Sequence, residues 1–408
     1  MKERFVLRDE VFGGTLFDRK TLRYKYLEHE ALHGDISING IKVESFEHRK
    51  ADLSSAPPDL PYSPIRIYVE TTRVCNLRCK HCFNASGTKD SDEMSTDEMF
   101  KALEGIRRDN VFDVRFSGGE LTMHPDWYEI LQRAKELGFG VSINSNGVYK
   151  DPSIIDKLVS LELEQIVLSI DGTKEHHDQI RGRGNFDRTL QSLRQLHERG
   201  AVLRTNTVLN RKSVSDMEEV IQTVGPYVDE MNFFHMRSTG RAQRMVRETL
   251  SYQELYDFNQ KAARIVKKYP HINILFGSQV TRENSIRMNE LGLKVGGPDG
   301  FTRCNLLANG SLWAGGYAPY IDRGLQFGDI KEEGYTMLQV WRKSPKLNAF
   351  RDFSHQLAMR CLSCPELNLY CPGTNVEMEL IRLKFPEIGN PYCISDQPLP
   401  QLILPSKK

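Results

Sequence analysis

The chain has 408 residues, of which 39% are hydrophobic and 27% are charged, with 55 Lys and Arg against 54 Asp and Glu. This length suggests two or three domains, and the near balance of charge gives no reason to expect binding to nucleic acid or to an anionic membrane. The first residues lack the apolar core of a signal peptide, and no apolar run is long enough to span a bilayer, so a cytoplasmic protein is expected.

Residues 1–60 are predicted to form a small N-terminal β appendage that ends in a linker. Residues 12–27 alternate apolar and polar side chains around a polar turn, which indicates a hairpin. A second extended run follows at 36–43, and the stretch 51–64 has the Ser and Pro content of a linker. The appendage either pairs with an extended peptide at its edge or covers the floor of the domain that follows.

Three cysteines then stand within one loop, in the order Cys-x3-Cys-x2-Cys, at Cys75, Cys79 and Cys82. In a reducing compartment such spacing favours metal ligation over disulfides. Three thiolates can hold three corners of a [4Fe–4S] cluster, which needs four ligands, and would leave one iron for a non-protein ligand. A zinc loop and an electron-transfer ferredoxin site are the alternatives.

Residues 61–245 are predicted to form an α/β domain, a partial (β/α)6 barrel of the TIM type. Six extended runs alternate with helical ones, which favours parallel strands and right-handed crossovers. The predicted strands are 65–70, 113–117, 140–144, 165–170, 201–208 and 230–236, and the predicted helices are 95–107, 127–137, 154–161, 186–199 and 214–224. Functional loops are expected at the C-terminal ends of these strands.

The cysteine loop, followed one strand–helix unit later by Gly118-Gly119-Glu120, resembles the radical S-adenosylmethionine (SAM) enzymes. The resemblance implies a cluster whose open iron chelates SAM, and reductive cleavage of SAM to a 5′-deoxyadenosyl radical. It also implies that SAM contacts come from several strand ends. These expected contacts are Phe83, Gly118, Gly119, Glu120, Asn144, Ser145, Ser169, Arg181, Asn206 and Met236.

Several of these expected SAM contacts also have an alternative interpretation. Asn144-Ser145-Asn146-Gly147 resembles a Thr-Asn-Gly corner of the family but is equally typical of a plain turn. Ser169 and Arg181 match a Ser-x-Asp-Gly…His-Asp-x-x-Arg stretch of peptide-modifying members and would hold the SAM carboxylate, with Arg183 as the rival cation. Asn206 and Met236 match ribose and adenine contacts, or simply line the barrel.

Residues 246–300 are predicted to be a helical connector and residues 301–408 a cysteine-rich auxiliary-cluster domain. Asn309-Gly310 indicates a hairpin turn. The quartet Cys361, Cys364, Cys371 and Cys393 resembles the outer [4Fe–4S] site of the C-terminal extension called SPASM, or twitch when shortened. Structural zinc is the alternative for the same spacing.

The match to that extension is incomplete. Asn375 and Gly315 stand where full SPASM members have cysteines. One auxiliary cluster is therefore expected, two clusters in all, with Cys304 as a spare buried thiol or an exchangeable ligand.

These features together predict an enzyme that uses SAM for oxidative modification of a peptide or protein, by crosslinking or dehydrogenation. An electron donor such as flavodoxin or ferredoxin would reduce the cluster. Modification of a tetrapyrrole side chain, as in haem-variant biosynthesis, is the main alternative. A non-enzymatic iron–sulfur carrier or scaffold is the second.

Overall fold

A computed structural model describes residues 3–277, 282–365, 367, 376–384, 402 and 404–405. Within these residues, no helix combines the length and apolar character needed to cross a lipid bilayer. Two predicted ligands, Cys371 and Cys393, and Asn375 lie outside the described residues.

The N-terminal appendage is a four-stranded sheet with the order β3-β2-β1-β6, plus a two-stranded ribbon. Its strands are β1 (Phe5–Glu10), β2 (Gly13–Asp18), β3 (Arg23–Glu28), β4 (Ser37–Ile38), β5 (Ile41–Lys42) and β6 (Glu47–Arg49). The Phe17 ring stacks on Phe112 with the centroids 5.1 Å apart, and the Arg49 guanidinium donates to the Val111 carbonyl at 2.9 Å. The appendage therefore covers the floor of the barrel, the second of its two predicted roles.

The barrel follows the predicted alternation of strands and helices. Its elements are β7 (Arg66–Glu70), α1 (Thr96–Arg108), β8 (Asp113–Ser117), α2 (Trp127–Leu137), β9 (Gly140–Ser145), α3 (Ser153–Ser160), β10 (Gln165–Ser169), α4 (Lys174–Arg181), α5 (Asn185–Glu198), β11 (Leu203–Leu209), α6 (Met217–Val224) and β12 (Glu230–His235). Helix α1 begins at a capping box in which Ser95 and Glu98 bind each other's backbone N–H groups. The strand–helix interface carries the main apolar core.

The C-terminal third extends the barrel sheet at both edges. Its elements are α7 (Tyr252–Val266), β13 (Asn273–Phe276), α8 (Arg282–Glu290), β14 (Arg303–Leu306), β15 (Ser311–Trp313), α9 (Ala318–Ile321), β16 (Gln326–Asp329), α10 (Leu338–Lys343), α11 (Pro345–Leu362) and α12 (Val376–Lys384). The sheet order is β13-β12-β11-β10-β9-β8-β7-β14-β15-β16. Strand β13 pairs in parallel with β12, and β14 pairs in parallel with β7.

This sheet adds two details to the predicted architecture. The connector at 246–300 is not purely helical, because β13 lies within it. The six barrel strands are flanked by β13 and β14, so eight described strands run in parallel. The hairpin predicted at Asn309-Gly310 is confirmed, since β14 and β15 pair antiparallel around it.

Candidate active site

A cavity of about 190 Å³ lies at the C-terminal ends of the barrel strands. Every predicted SAM contact except Glu120 lines it, together with the three loop cysteines. These residues are Cys75, Cys79, Cys82, Phe83, Gly118, Gly119, Asn144, Ser145, Ser169, Arg181, Asn206 and Met236. The fold thus brings together side chains from six strand ends, as a β/α barrel site requires.

The two glycines position the cysteine loop by close backbone packing. A Cβ on Gly119 would lie 2.1 Å from the Val74 carbonyl oxygen, so a larger residue cannot stand there without moving the loop. The Gly119 N–H donates to Thr72 O at 2.7 Å, and the Glu120 N–H to Val74 O at 2.8 Å. The need for glycine thus comes from the neighbouring loop as well as from any ligand.

Glu120 lies behind the cavity wall. It is 1% exposed, and its carboxylate accepts from Ser145 Oγ at 2.9 Å and from the Asn146 N–H at 2.8 Å. Among the expected SAM contacts, it is the one that does not line the described cavity. The carboxylate joins the loop after β8 to the loop after β9 and so fixes Ser145 in the wall.

The loop thiols each face a polar neighbour. The Leu77 N–H lies 3.4 Å from Cys75 Sγ, Arg181 Nη1 lies 3.9 Å from Cys79 Sγ, and Cys82 Sγ lies 2.9 Å from Asn84 Oδ1. Burial raises the pKa of Cys75 to about 11, so ligation to a metal must release protons.

The donor set of the loop consists of three thiols, those of Cys75, Cys79 and Cys82, which line one cavity. Among the described residues, no three His, Cys, Asp or Glu side chains are grouped closely enough to hold one metal ion. A [4Fe–4S] cluster holds each thiolate on a different iron. Three thiols spread around one cavity suit that arrangement.

Arg181 lies in the cavity wall but is shared with a buried carboxylate. Its Nε donates to Asp171 Oδ2 at 2.5 Å, and His81 Nε2 lies 2.7 Å from the same oxygen. Burial alone would raise the pKa of Asp171, but Arg181 and His81 outweigh burial and hold that pKa far below its usual range. Arg183, the rival cation, is exposed and lines a surface hollow instead.

Several residues in the wall of this cavity were not predicted from the sequence. The Arg241 Nε donates to Cys79 O at 2.8 Å, its Nη1 to Ser86 O at 2.7 Å, and its backbone N–H to Cys82 O at 2.9 Å. Tyr317, from the C-terminal third, packs against Phe83 with the ring centroids 4.5 Å apart. The Gly-Arg-Ala stretch at 240–242 was a usable signal for Arg241, whereas nothing local marked Tyr317.

A second cavity of about 420 Å³ adjoins the first inside the barrel. The two cavities share wall residues, namely Phe83, Asn84, Ser117, Gly118, Asn144, Asn206, Phe234, Arg237 and Tyr317. The inner cavity is lined by ionisable side chains, including Tyr68, Glu70, Arg115 and Glu377. Burial raises the pKa of Glu70 to about 7, and burial together with Asp299 raises that of Glu377 to about 7.

The remaining predicted ligands are placed as follows. Cys304 is fully buried in the main core on β14, and burial raises its pKa, so it is a buried core thiol. Cys361 and Cys364 are partly exposed near the C-terminal end of α11.

Known proteins resemble this chain in both sequence and fold. The radical SAM superfamily pattern matches residues 69–224. Mycofactocin maturase MftC of Mycobacterium tuberculosis is 33% identical over 181 residues, which cover 44% of this chain and 46% of MftC. The chain thus matches about half the length of that relative.

Two further proteins match most of the chain. AdoMet-dependent heme synthase of Methanosarcina barkeri is 26% identical over 353 residues, covering 81% of this chain and 97% of the synthase. The crystal structure of Streptococcus suis SuiB bound to precursor peptide SuiA superposes with a TM-score of 0.71 at 18% identity, covering 93% of this chain and 96% of SuiB.

The partial barrel, the cysteine loop and the superfamily match concern the same stretch of chain, and such a domain implies a [4Fe–4S] cluster and SAM. Residues 69–224 are therefore a radical SAM domain.

Proposed function

We propose that this chain is a radical SAM enzyme that modifies a peptide or protein oxidatively. The observation that carries the proposal is the single cavity that joins Cys75, Cys79 and Cys82 to the polar ends of the neighbouring strands. When bound, the cluster and SAM supply reductive cleavage of a sulfonium and a radical able to abstract hydrogen from carbon.

The chain's own residues bind and orient the cofactors. Cys75, Cys79 and Cys82 would hold the cluster, and Arg241 fixes the loop that carries them. Ser169 and Arg181 would bind the SAM carboxylate, while the buried Asp171 holds Arg181 in place. The Phe83 and Tyr317 rings contact each other in the wall that the two cavities share, and there they would reduce the access of water to the reacting atoms.

The substrate is proposed to enter the inner cavity, which adjoins the SAM cavity. A peptide is favoured by the match to peptide-modifying members at Ser169, Asp171 and Arg181, and by a protein of this fold that binds a precursor peptide. The quartet Cys361, Cys364, Cys371 and Cys393 would hold an auxiliary cluster that accepts an electron from the substrate or binds it. A flavodoxin or ferredoxin in the reducing cytoplasm would supply electrons to the first cluster.

A tetrapyrrole substrate is the second candidate. It is favoured by the heme synthase, which this chain matches over 97% of the synthase's length. A peptide is preferred because the stretch around Ser169, Asp171 and Arg181 matches peptide-modifying members, and because SuiB, which binds a precursor peptide, superposes on 93% of this chain.

The test is anaerobic incubation of the reconstituted protein with SAM, dithionite and candidate substrates, followed by mass spectrometry. Loss of two hydrogens from a peptide, together with 5′-deoxyadenosine, supports the proposal. Loss of a carboxylate from a porphyrin supports the second candidate. Iron uptake without any deoxyadenosine would contradict both and favour a scaffold.

A further inference from the structure

One layer of side chains crosses the barrel interior beneath the inner cavity. Strand register places Tyr68 opposite Arg115, Arg115 opposite Ser142, and Ser142 opposite Gln165. Parallel barrel strands stack inward-facing residues in such layers. Here the layer is polar, whereas barrel layers are usually filled by branched apolar residues.

Arginines dominate this layer and its surroundings. Three of them are paired with carboxylates: Arg66 with Asp113 at 2.5 Å, Arg204 with Glu230 at 2.9 Å, and Arg303 with Asp299 at 2.6 Å. The fourth is Arg115, which stands opposite Tyr68 in the layer.

Arg115 differs from the other three because its hydrogen-bond partners are neutral. Its Nε donates to Ser142 Oγ at 2.9 Å, and its Nη2 donates to Gln165 Oε1 at 2.9 Å. Among the described residues, no hydrogen bond joins it to a carboxylate. Arg115 is 4% exposed and lines the inner cavity, so its charge is buried beside an open space.

A buried cation is costly unless a counter-charge or hydrogen bonds compensate it. The available counter-charge in the layer is Tyr68, which lies 5.8 Å from the Arg115 guanidinium, measured from Cζ to the ring centroid. Burial alone would raise the pKa of Tyr68, but Arg115, Arg303, Arg66 and Arg204 outweigh burial and lower it to about 7. No carboxylate therefore binds Arg115 directly among the described residues, although Glu70, Asp299 and Glu377 also line the cavity and Asp113 acts on Arg115 electrostatically.

We propose that Arg115 and its layer bind a carboxylate group of the peptide substrate, so that the enzyme acts on a peptide through an acidic side chain or a C-terminal carboxylate. The Arg204 Nε, buried and without a hydrogen-bond partner among the described residues, lines the same cavity and offers a second donor. Guanidinium groups suit a carboxylate because their donors form a planar fork.

The site would hold the substrate on the side of the inner cavity away from the cysteines. Arg115 and Arg204 line the inner cavity but not the SAM cavity, whereas Asn144 and Asn206 line both. A carboxylate anchored on the arginines leaves the rest of the residue extending toward the SAM cavity. This inference rests on the proposed function, because it names the chemistry of the substrate in that enzyme's cavity.

The experiment measures binding of matched acid and amide probes to the anaerobic holoenzyme by calorimetry. The probes are benzoate with benzamide, N-acetylglutamate methylamide with its glutamine counterpart, and N-acetyl-Ala-Phe with a free or an amidated C-terminus. We expect the acid to bind at least about tenfold more tightly than the amide in one or both peptide pairs, as for a charge-assisted contact. The pair with the larger ratio of acid affinity to amide affinity shows whether the bound carboxylate is an acidic side chain or a peptide C-terminus.

Variants assign the preference to Arg115. Arg115→Gln should abolish the acid preference, Arg115→Lys should retain part of it, and Tyr68→Phe should bind the acid at least as well as the wild type. Equal affinity for acid and amide in the wild type, or a preference that survives in Arg115→Gln, would overturn the inference. Arg115-dependent binding of coproporphyrin III but of no peptide acid would overturn it too, in favour of a tetrapyrrole.

Arg115→Lys decides the question if Arg115→Gln does not fold, because it keeps the charge but loses the planar fork of donors. Its acid preference should be smaller than that of the wild type and should not vanish. An acid preference equal to that of the wild type would contradict the site. Deoxyadenosine formation, measured in parallel, tests the proposed function separately, because a protein that binds acids but does not cleave SAM refutes only that function.

Discussion

At the scale of single residues, the loop cysteines are expected to be separately indispensable. Replacement of Cys75, Cys79 or Cys82 by Ala removes one corner of a three-thiolate site, and two thiolates cannot hold the cluster stably. Each variant should lose deoxyadenosine formation and most of the iron of the first site. Cys304→Ala is the matched control, since Cys304 lies in the core and away from the cavity; normal turnover in a Cys75, Cys79 and Cys82 triple variant would contradict the assignment.

Arg181 is expected to serve both SAM and the fold. Arg181→Gln should weaken SAM binding at least about tenfold, because one charge-assisted contact is lost. It should also destabilise the protein by about 3–5 kcal/mol, because Asp171 remains buried with one cationic partner fewer. SAM titration and thermal unfolding measure the two effects, with the exposed Arg183→Gln as control. Unchanged SAM affinity in Arg181→Gln would remove this residue from the site.

His177 gives a prediction about pH. The residue is fully buried, and burial together with Arg181 lowers its pKa from 6.5 to about 4. The folded state therefore binds fewer protons than the unfolded state between these values, so the contribution of His177 is complete above pH about 6.5 and is lost on acidification, by at most about 1.4 kcal/mol per pH unit.

Anaerobic melting curves of the wild type and of His177→Gln at several pH values isolate this effect. The difference in melting temperature should shrink as the pH falls from about 6.5 toward 4, because the wild type loses the His177 contribution there. A difference that does not change with pH would show that His177 does not titrate in this range.

At the scale of elements, the loops at the strand ends depend on close backbone packing. In Gly119→Ala, the new Cβ would stand 2.1 Å from the Val74 oxygen, so the cysteine loop must move. We expect less bound iron and less deoxyadenosine than in Gly34→Ala, where a Cβ would meet nothing within 4 Å. Iron content after identical reconstitution measures the effect, and equal iron in the two variants would argue against it.

Sequence reasoning located the elements whose signals are local. The helix predicted at 95–107 and the Asn309-Gly310 turn depend on local features, and both form as expected. Strand β13 was not predicted, because four residues between two helices carry little periodicity and because the strand forms by pairing with the distant edge of β12. The role of Glu120 was not predicted for a similar reason, since the loop that donates hydrogen bonds to its carboxylate lies one strand further along the chain.

At the scale of the whole molecule, the number of iron–sulfur clusters tests whether the C-terminal quartet holds a second cluster. Cys75, Cys79 and Cys82 supply one site, and the C-terminal quartet is proposed to supply a second. The reconstituted protein should hold about eight irons, and the triple alanine variant of the first site about four. Iron and zinc analysis distinguishes the outcomes: about twelve irons would refute two clusters, and about four irons with one zinc would make the quartet a structural zinc site.

The pairing of β14 with β7 limits how this protein can be recombined with its relatives. Arg303 pairs with Arg66 and Asn305 with Tyr68, so the C-terminal segment provides part of the inner cavity wall. A slip of one residue in that pairing would turn Arg303 and Asn305 to the opposite face of the sheet. A chimaera joined near residue 300 would therefore exchange the seven inner-cavity residues that follow this position along with the cluster region, and its specificity would follow the register of this one strand.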